Sequence, residues 1–186
     1  MTKQYYINEL IIERYRNKLV PNSGLCVKVQ RIYEVPINSN EANGTNQVII
    51  NGTAQVKVEV EVDLLIFKPH PGEVIQGKIK SQDNLGIQLT LGEDLVNVMV
   101  PAHALMRGSV FNPQTQTWVW KYLDPSGPGN EQALYYDLNY EIGGDMKVKI
   151  EKNNINDRAD ESVGLSRNFL IAQCQENGLG MTSWWN

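Results

Sequence analysis

The chain has 186 residues, 41% hydrophobic and 20% charged, with a formal net charge of −4. That composition is globular, which excludes a disordered chain, and the length suits one large domain or two small ones. An acidic balance also argues against a factor that holds nucleic acid tightly by itself, because phosphate neutralisation dominates such affinity.

Apolar residues at helical spacing, Ile7, Leu10, Ile11 and Tyr15, predict a helix from about Tyr6 to Leu19, ended by Pro21-Asn22-Ser23-Gly24. Leu25 to Val35 alternates as a strand, and Pro36 to Gln47 is an Asn-, Ser- and Gly-rich loop. Val48–Ile50 is a short strand, and Asn51-Gly52 predicts a two-residue hairpin turn. Ala54 to Ile66 then alternates strictly, Val56, Val58, Val60 and Val62 against Lys57, Glu59, Glu61 and Asp63, which predicts one long half-buried strand. Leu65 and Phe67 break the pattern, so both faces are expected to be covered there. Lys68-Pro69-His70-Pro71-Gly72 cannot continue a central strand and is taken as a domain junction. The first domain, 1–68, is thus a helix with three strands, small for a self-sufficient core. It is expected to lean on the second domain or on another chain.

After the junction come short strands at Glu73–Ile79, Gly86–Leu91, Val96–Val100, Trp118–Trp120, Leu134–Tyr136, Met146–Ile150 and Phe169–Ala172. Short strands between Gly- and Pro-containing turns, such as Asp124–Asn130, predict a β-sandwich or barrel over 69–186.

The two cysteines, Cys26 and Cys174, are far apart in sequence and fit a reducing compartment better than a disulfide framework. With only His70 and His103 besides, no familiar zinc spacing arises, and no cofactor is implied. The sequons at Asn43 and Asn51 are read as chance, because the start Met1–Tyr6 has no apolar signal core. No apolar run reaches the roughly 18 residues of a membrane span, so no membrane partner is expected. Asp63, Glu73, Asp83, Glu93 and Asp94 are scattered, and no nucleophile triad, metal carboxylate pair or phosphate loop appears, so the chain reads as a non-enzyme.

Gly72-Glu73-Val74-Ile75-Gln76-Gly77-Lys78-Ile79, followed by Gly86-Ile87-Gln88-Leu89, resembles the OB-fold subclass first seen in a ribosomal RNA-binding protein. The stretch Phe67–Val74 after a long alternating strand is similar to the junction between tip and OB domains in the larger stalk subunits of eukaryotic RNA polymerases and their archaeal homologue. Leu19–Cys26, Val98–Pro101 with Leu105, Trp118-Val119-Trp120 and the terminal Gly178–Trp185 resemble the RNA polymerase III member of that family in particular. The resemblance covers nearly the whole chain. It implies an α+β tip domain (helix plus antiparallel strands) over 1–68, followed by an all-β OB-fold barrel over 69–186.

The resemblance further implies a non-catalytic subunit of DNA-directed RNA polymerase III in the nucleus. Its tip docks on the core subunits, a smaller helical stalk subunit binds along both domains, and the stalk helps recruit initiation factors. The OB domain points outward, toward nascent RNA. Against the family pattern, the chain opens inside the tip domain, without the family's first strand. That points to an incomplete gene model or a reduced copy unable to dock. Glycines stand in Glu141–Met146 where the family keeps a continuous strand with basic residues, and Asn153–Asn168 is short.

On the OB face, alternation turns Lys78, Lys80, Gln88 and Thr90 outward, opposite Ile79, Ile87 and Leu89, and these four are the RNA-binding candidates. In the ribosomal subclass aromatic platforms occupy the positions of Leu85 and Gln88, which weakens base stacking here. Solubilising charge is the plain alternative for the lysines. Pro21, Gly24, Phe67, Trp118, Trp120, Trp184 and Trp185 are the docking candidates. Trp118 and Trp120 share one strand face, suited to a core or subunit contact or to a base-stacking pair. Trp184 and Trp185, if extended, point to opposite sides, one into a core and one toward a partner. The competing function is a free-standing OB-fold RNA-binding factor.

Overall fold

The structure is a computed structural model and describes residues 3–34, 47–49, 56–92, 95–123, 135–155 and 169–185. The chain divides into two compact units, Met1–Lys68 and Pro69–Asn186. It is mostly β, with one α-helix among the described residues.

The first unit opens with helix α1 (Lys3–Tyr15). The helix stops short of the expected Leu19 because Asn17 adopts a left-handed φ of 57° and its N–H bonds the Cys26 carbonyl at 2.8 Å. Asn tolerates that conformation better than most residues, which makes it an effective helix stop. Strands β1 (Leu19–Val20), β2 (Gly24–Glu34), β3 (Gln47–Ile49), β4 (Val56–Val58) and β5 (Val60–Phe67) follow. β1, β2 and β5 form one antiparallel sheet, and β3 pairs with β4. The single long strand expected from Ala54 to Ile66 is therefore two, parted at Glu59. Each half pairs with a different neighbour. Along β2 the register slips at Val27 and Gln30, so the longer strand bows against β5. Only Ile11 of the expected helix face is buried. Leu10 is 66% exposed, because it lies a quarter-turn off the Ile7–Ile11 line. The Asn-rich loop, the Asn51-Gly52 turn and both sequons lie outside the described residues.

The second unit has β6 (Val74–Asp83), β7 (Gly86–Leu91), β8 (Val96–Pro101), β9 (Ser109–Asn112), β10 (Thr117–Leu123), β11 (Tyr135–Asn139), β12 (Asp145–Asn153), β13 (Phe169–Gln173) and β14 (Gly180–Met181). Five of them close a barrel in the order β6-β7-β8-β13-β12 and back to β6, with β8 and β13 parallel and every other pair antiparallel. That 1-2-3-5-4-1 order fits an OB-fold. Ile79, Ile87, Leu89, Val98, Met146 and Leu170 point inward and are at most 2% exposed. At Gly86 the φ is 153°, and a Cβ there would overlap the Val100 carbonyl, so this turn admits no side chain.

Between β8 and β12 the barrel carries an insertion, a three-stranded antiparallel sheet in the order β9-β10-β11. Periodicity does not foretell β9: four residues between Gly108 and Pro113 are too few to display a period. β14 is a two-residue strand on the edge of β12, for which the sequence has no signal beyond Gly180. The loop Asp124–Asn130 and most of Asn153–Asn168 lie outside the described residues.

Candidate nucleic-acid and partner interface

The four candidates on the barrel come together on one outer face of β6 and β7. Lys78 stands between Thr90 of β7 and Asp145 of β12. Lys80 falls at a bulge between Ile79 and Ser81, which turns it out of the regular ladder. Gln88 and Thr90 are half-buried, and Ser81 Oγ donates to Gln88 Oε1 at 3.4 Å. The Thr90 hydroxyl oxygen is shielded, which leaves it a poor contact for a ligand. Across β7, Gln88 and Thr90 face Met99 and Asn97 of β8. One further residue belongs to this face: exposed Lys147, opposite Gln76. The alternation Met146-Lys147-Val148 in the sequence carried that signal. At the β6–β7 turn, Asp83 Oδ1 accepts the N–H groups of Leu85 and Gly86 at 2.8 and 3.1 Å, which leaves Leu85 exposed at the tip. Over β6, β7 and β12 the face is thus a mainly polar strip with a few lysines and, among the described residues, no aromatic ring.

The tryptophans form a separate, inner arrangement. Trp118 is 7% exposed, tilts against Phe111 at 5.4 Å and donates its indole N–H to the Asp83 carbonyl at 2.7 Å. It ties the inserted sheet to the β6–β7 turn. Trp120 donates to the Arg107 carbonyl at 2.9 Å and packs on Trp184 with centroids 5.1 Å apart. Trp184 in turn meets Tyr140 edge-on at 4.8 Å. The terminal pair is not extended: Thr182–Trp185 is a 3-10 turn. Gly180, at φ 90°, lets the chain double back, and a Cβ there would lie 2.5 Å from the Trp184 ring. Trp184 therefore fills the space over Gly180, while the exposed Trp185 donates its N–H to the Leu179 carbonyl at 2.9 Å.

Beneath this stack the Tyr140 hydroxyl accepts the Met106 N–H at 3.3 Å and lies 3.1 Å from Ser109 Oγ. Burial pushes its pKa well above the ordinary tyrosine value. Burial also pushes the Cys174 thiol up to about 12. Both cysteines are free and buried. Among the described residues no cluster of His, Cys, Asp or Glu could hold a metal ion.

In the first unit, Pro21 is exposed in the β1–β2 turn. Gly24 is enclosed: a Cβ there would lie 2.7 Å from the Phe67 carbonyl. Phe67 pairs with Leu25 at the end of β5 and is half-buried.

A model of the family described as RNA polymerase III subunit Rpc25 matches residues 73–168. The chain is similar to DNA-directed RNA polymerase III subunit rpc8 of Schizosaccharomyces pombe, with 31% identity covering 95% of this chain and 86% of the relative. It is 24% identical to the RPC8 subunit of Saccharomyces cerevisiae, covering 96% and 88%, and 23% identical to that of Bos taurus, covering 96% and 86%. The family model covers 73–168 and the relatives align with 95–96% of the chain, and on these matches the chain belongs to the Rpc25/RPC8 family of RNA polymerase III subunits.

Proposed function

We propose that this chain is a non-catalytic stalk subunit of nuclear RNA polymerase III, held to the core enzyme by its first unit as an α+β tip domain. The observation that carries this reading is the burial pattern of the described residues of 1–68. Among its described residues only Ile11, Leu25 and Cys26 are buried apolar side chains, while seven large apolar ones are exposed, including Leu10, Ile12 and, at 46%, Leu65. The described residues of the barrel unit include twenty buried apolar side chains. A unit whose described residues bury so few apolar side chains gains its order from a surface that covers it.

In this reading core subunits cover the α1 and β5 surfaces, and a smaller helical stalk subunit binds as heterodimer partner. Pro21 and Trp185 are exposed docking points. Trp118, Trp120, Trp184, Gly24 and Phe67 act indirectly, by fixing the surfaces around them. The barrel projects outward, where Lys78, Lys80 and Lys147 meet nascent RNA weakly, and the assembled stalk supports initiation-factor recruitment. A net charge of −4 suits a subunit retained by protein contacts.

Affinity purification of the tagged chain from nuclear extract, read by mass spectrometry, tests the reading. Polymerase III subunits in near-equal amounts are the expected result. Recovery with polymerase II alone would overturn it, as would salt-sensitive RNA binding with no polymerase, the behaviour of a free-standing RNA-binding factor.

A further inference from the structure

The face of β10 that carries Trp118, Trp120 and Tyr122 passes from closed to open along the strand. Trp118 is buried, Trp120 is half-buried and Tyr122 is 36% exposed. Tyr136 of β11 stands directly opposite Tyr122 in the ladder and is 49% exposed. Side chains in such a pair start roughly 5 Å apart.

The Tyr122 ring is backed. It meets Trp120 edge-on at 5.1 Å, Trp120 packs on Trp184, and Trp184 on the hydrogen-bonded Tyr140. A ring fixed this way loses little freedom when a flat group stacks on it. Arg107, whose main-chain carbonyl accepts the Trp120 indole N–H at 2.9 Å, is exposed. The exposed aliphatic side chains Val110 and Leu123 alternate onto the opposite face, where Lys121 pairs with Asp137 at 2.6 Å.

We propose that Tyr122 and Tyr136 form a stacking platform for two bases of single-stranded RNA, with Arg107 meeting the phosphate beside them. The proposal rests on the reading that this subunit contacts nascent RNA, and it moves base recognition from the barrel to the inserted sheet. Strands β7 and β8, where OB-folds carry their stacking rings, present Gln88, Thr90, Asn97 and Met99 instead. Two rings on neighbouring strands of an antiparallel sheet are the arrangement by which sheet-based RNA modules stack successive bases.

The test uses polymerase III assembled with this full-length chain and transcripts carrying 4-thiouridine, with crosslinked peptides mapped by mass spectrometry. Crosslinks on Tyr122 or Tyr136 are expected. The Tyr122→Phe/Tyr136→Phe double variant keeps them, because the ring persists. Tyr122→Leu/Tyr136→Leu, apolar but not aromatic, weakens oligouridylate binding by the full chain roughly fivefold to a hundredfold per ring lost. Crosslinks confined to Lys78, Lys80 or Lys147 would overturn the platform and leave the RNA reading standing. No RNA crosslink anywhere on the chain would remove both. Equal binding by the Leu and Phe variants, or occupation of the two tyrosines by another polypeptide of the polymerase, would also overturn it.

Discussion

Cys174 and Tyr140, which also act on each other, illustrate how burial as the largest cause makes ordinary side chains pH-sensitive. Both are acids kept neutral by desolvation, the thiol up to about 12 and the phenol raised above its usual value near 10. A folded pKa above the unfolded one means that the native state holds its proton longer. The stabilisation is complete below the unfolded value of about 9 for Cys174 and is lost as pH climbs from there toward 12. Denaturation measured between pH 9 and 12 should show stability falling by up to about 1.4 kcal/mol per pH unit from Cys174 above about 9, joined by Tyr140 above about 10. Cys174→Ala and Tyr140→Phe should each flatten that fall. Gly180 gives a second test at this scale. Gly180→Ala strains a backbone at φ 90° and drives a methyl into the Trp184 ring. A loss of about 2–3 kcal/mol is expected, with altered tryptophan fluorescence, since Trp184 must leave its stack.

Helix α1 and the inserted sheet show what periodicity conveys about an element and what it does not. The apolar spacing in α1 foretold a helix, but not that most of its apolar residues would stay outside. Ile7 and Ile11 point one way, whereas Leu10 and Ile12 face solvent. Leu10→Lys should therefore change stability by no more than about 0.5 kcal/mol, as exposed substitutions do. If this helix is covered in the polymerase, the same change should cut recovery of polymerase III subunits at least tenfold in the affinity purification. Unchanged recovery would remove α1 from the docking surface. In the inserted sheet, alternation correctly set Trp118 and Trp120 on one face. Their partners Phe111, Trp184 and the Asp83 carbonyl come from β9, the chain terminus and the β6–β7 turn, and no local pattern announces them.

At the scale of the molecule the two units differ in what holds them. The barrel closes on itself, leaving no strand of the ring unpaired, and the described residues of its unit include twenty buried apolar side chains. The first unit has three among its described residues and an eight-residue strand, β5, paired on one side. Residues 69–186 expressed alone should melt in one cooperative transition, whereas residues 1–68 alone should show none. Calorimetry of the two fragments measures both, and a cooperative transition in 1–68 would contradict its dependence on a covering surface.

Most strands were legible in the sequence, because alternation is a local property that pleating turns directly into an inside and an outside. It set Ile79, Ile87 and Leu89 inward and Lys78 outward, and the junction motif and terminal Trp184–Trp185 carried the resemblance to the polymerase stalk family. Strand pairing was settled in three dimensions, where one alternating run became β4 and β5 with different neighbours. So was the fold-back of the terminal segment over Gly180, and so was the pairing of exposed Tyr122 and Tyr136, unremarkable in the sequence, across the β10–β11 ladder. Those outcomes depend on contacts between residues far apart in the chain, where register and ring packing, not local period, govern the energy.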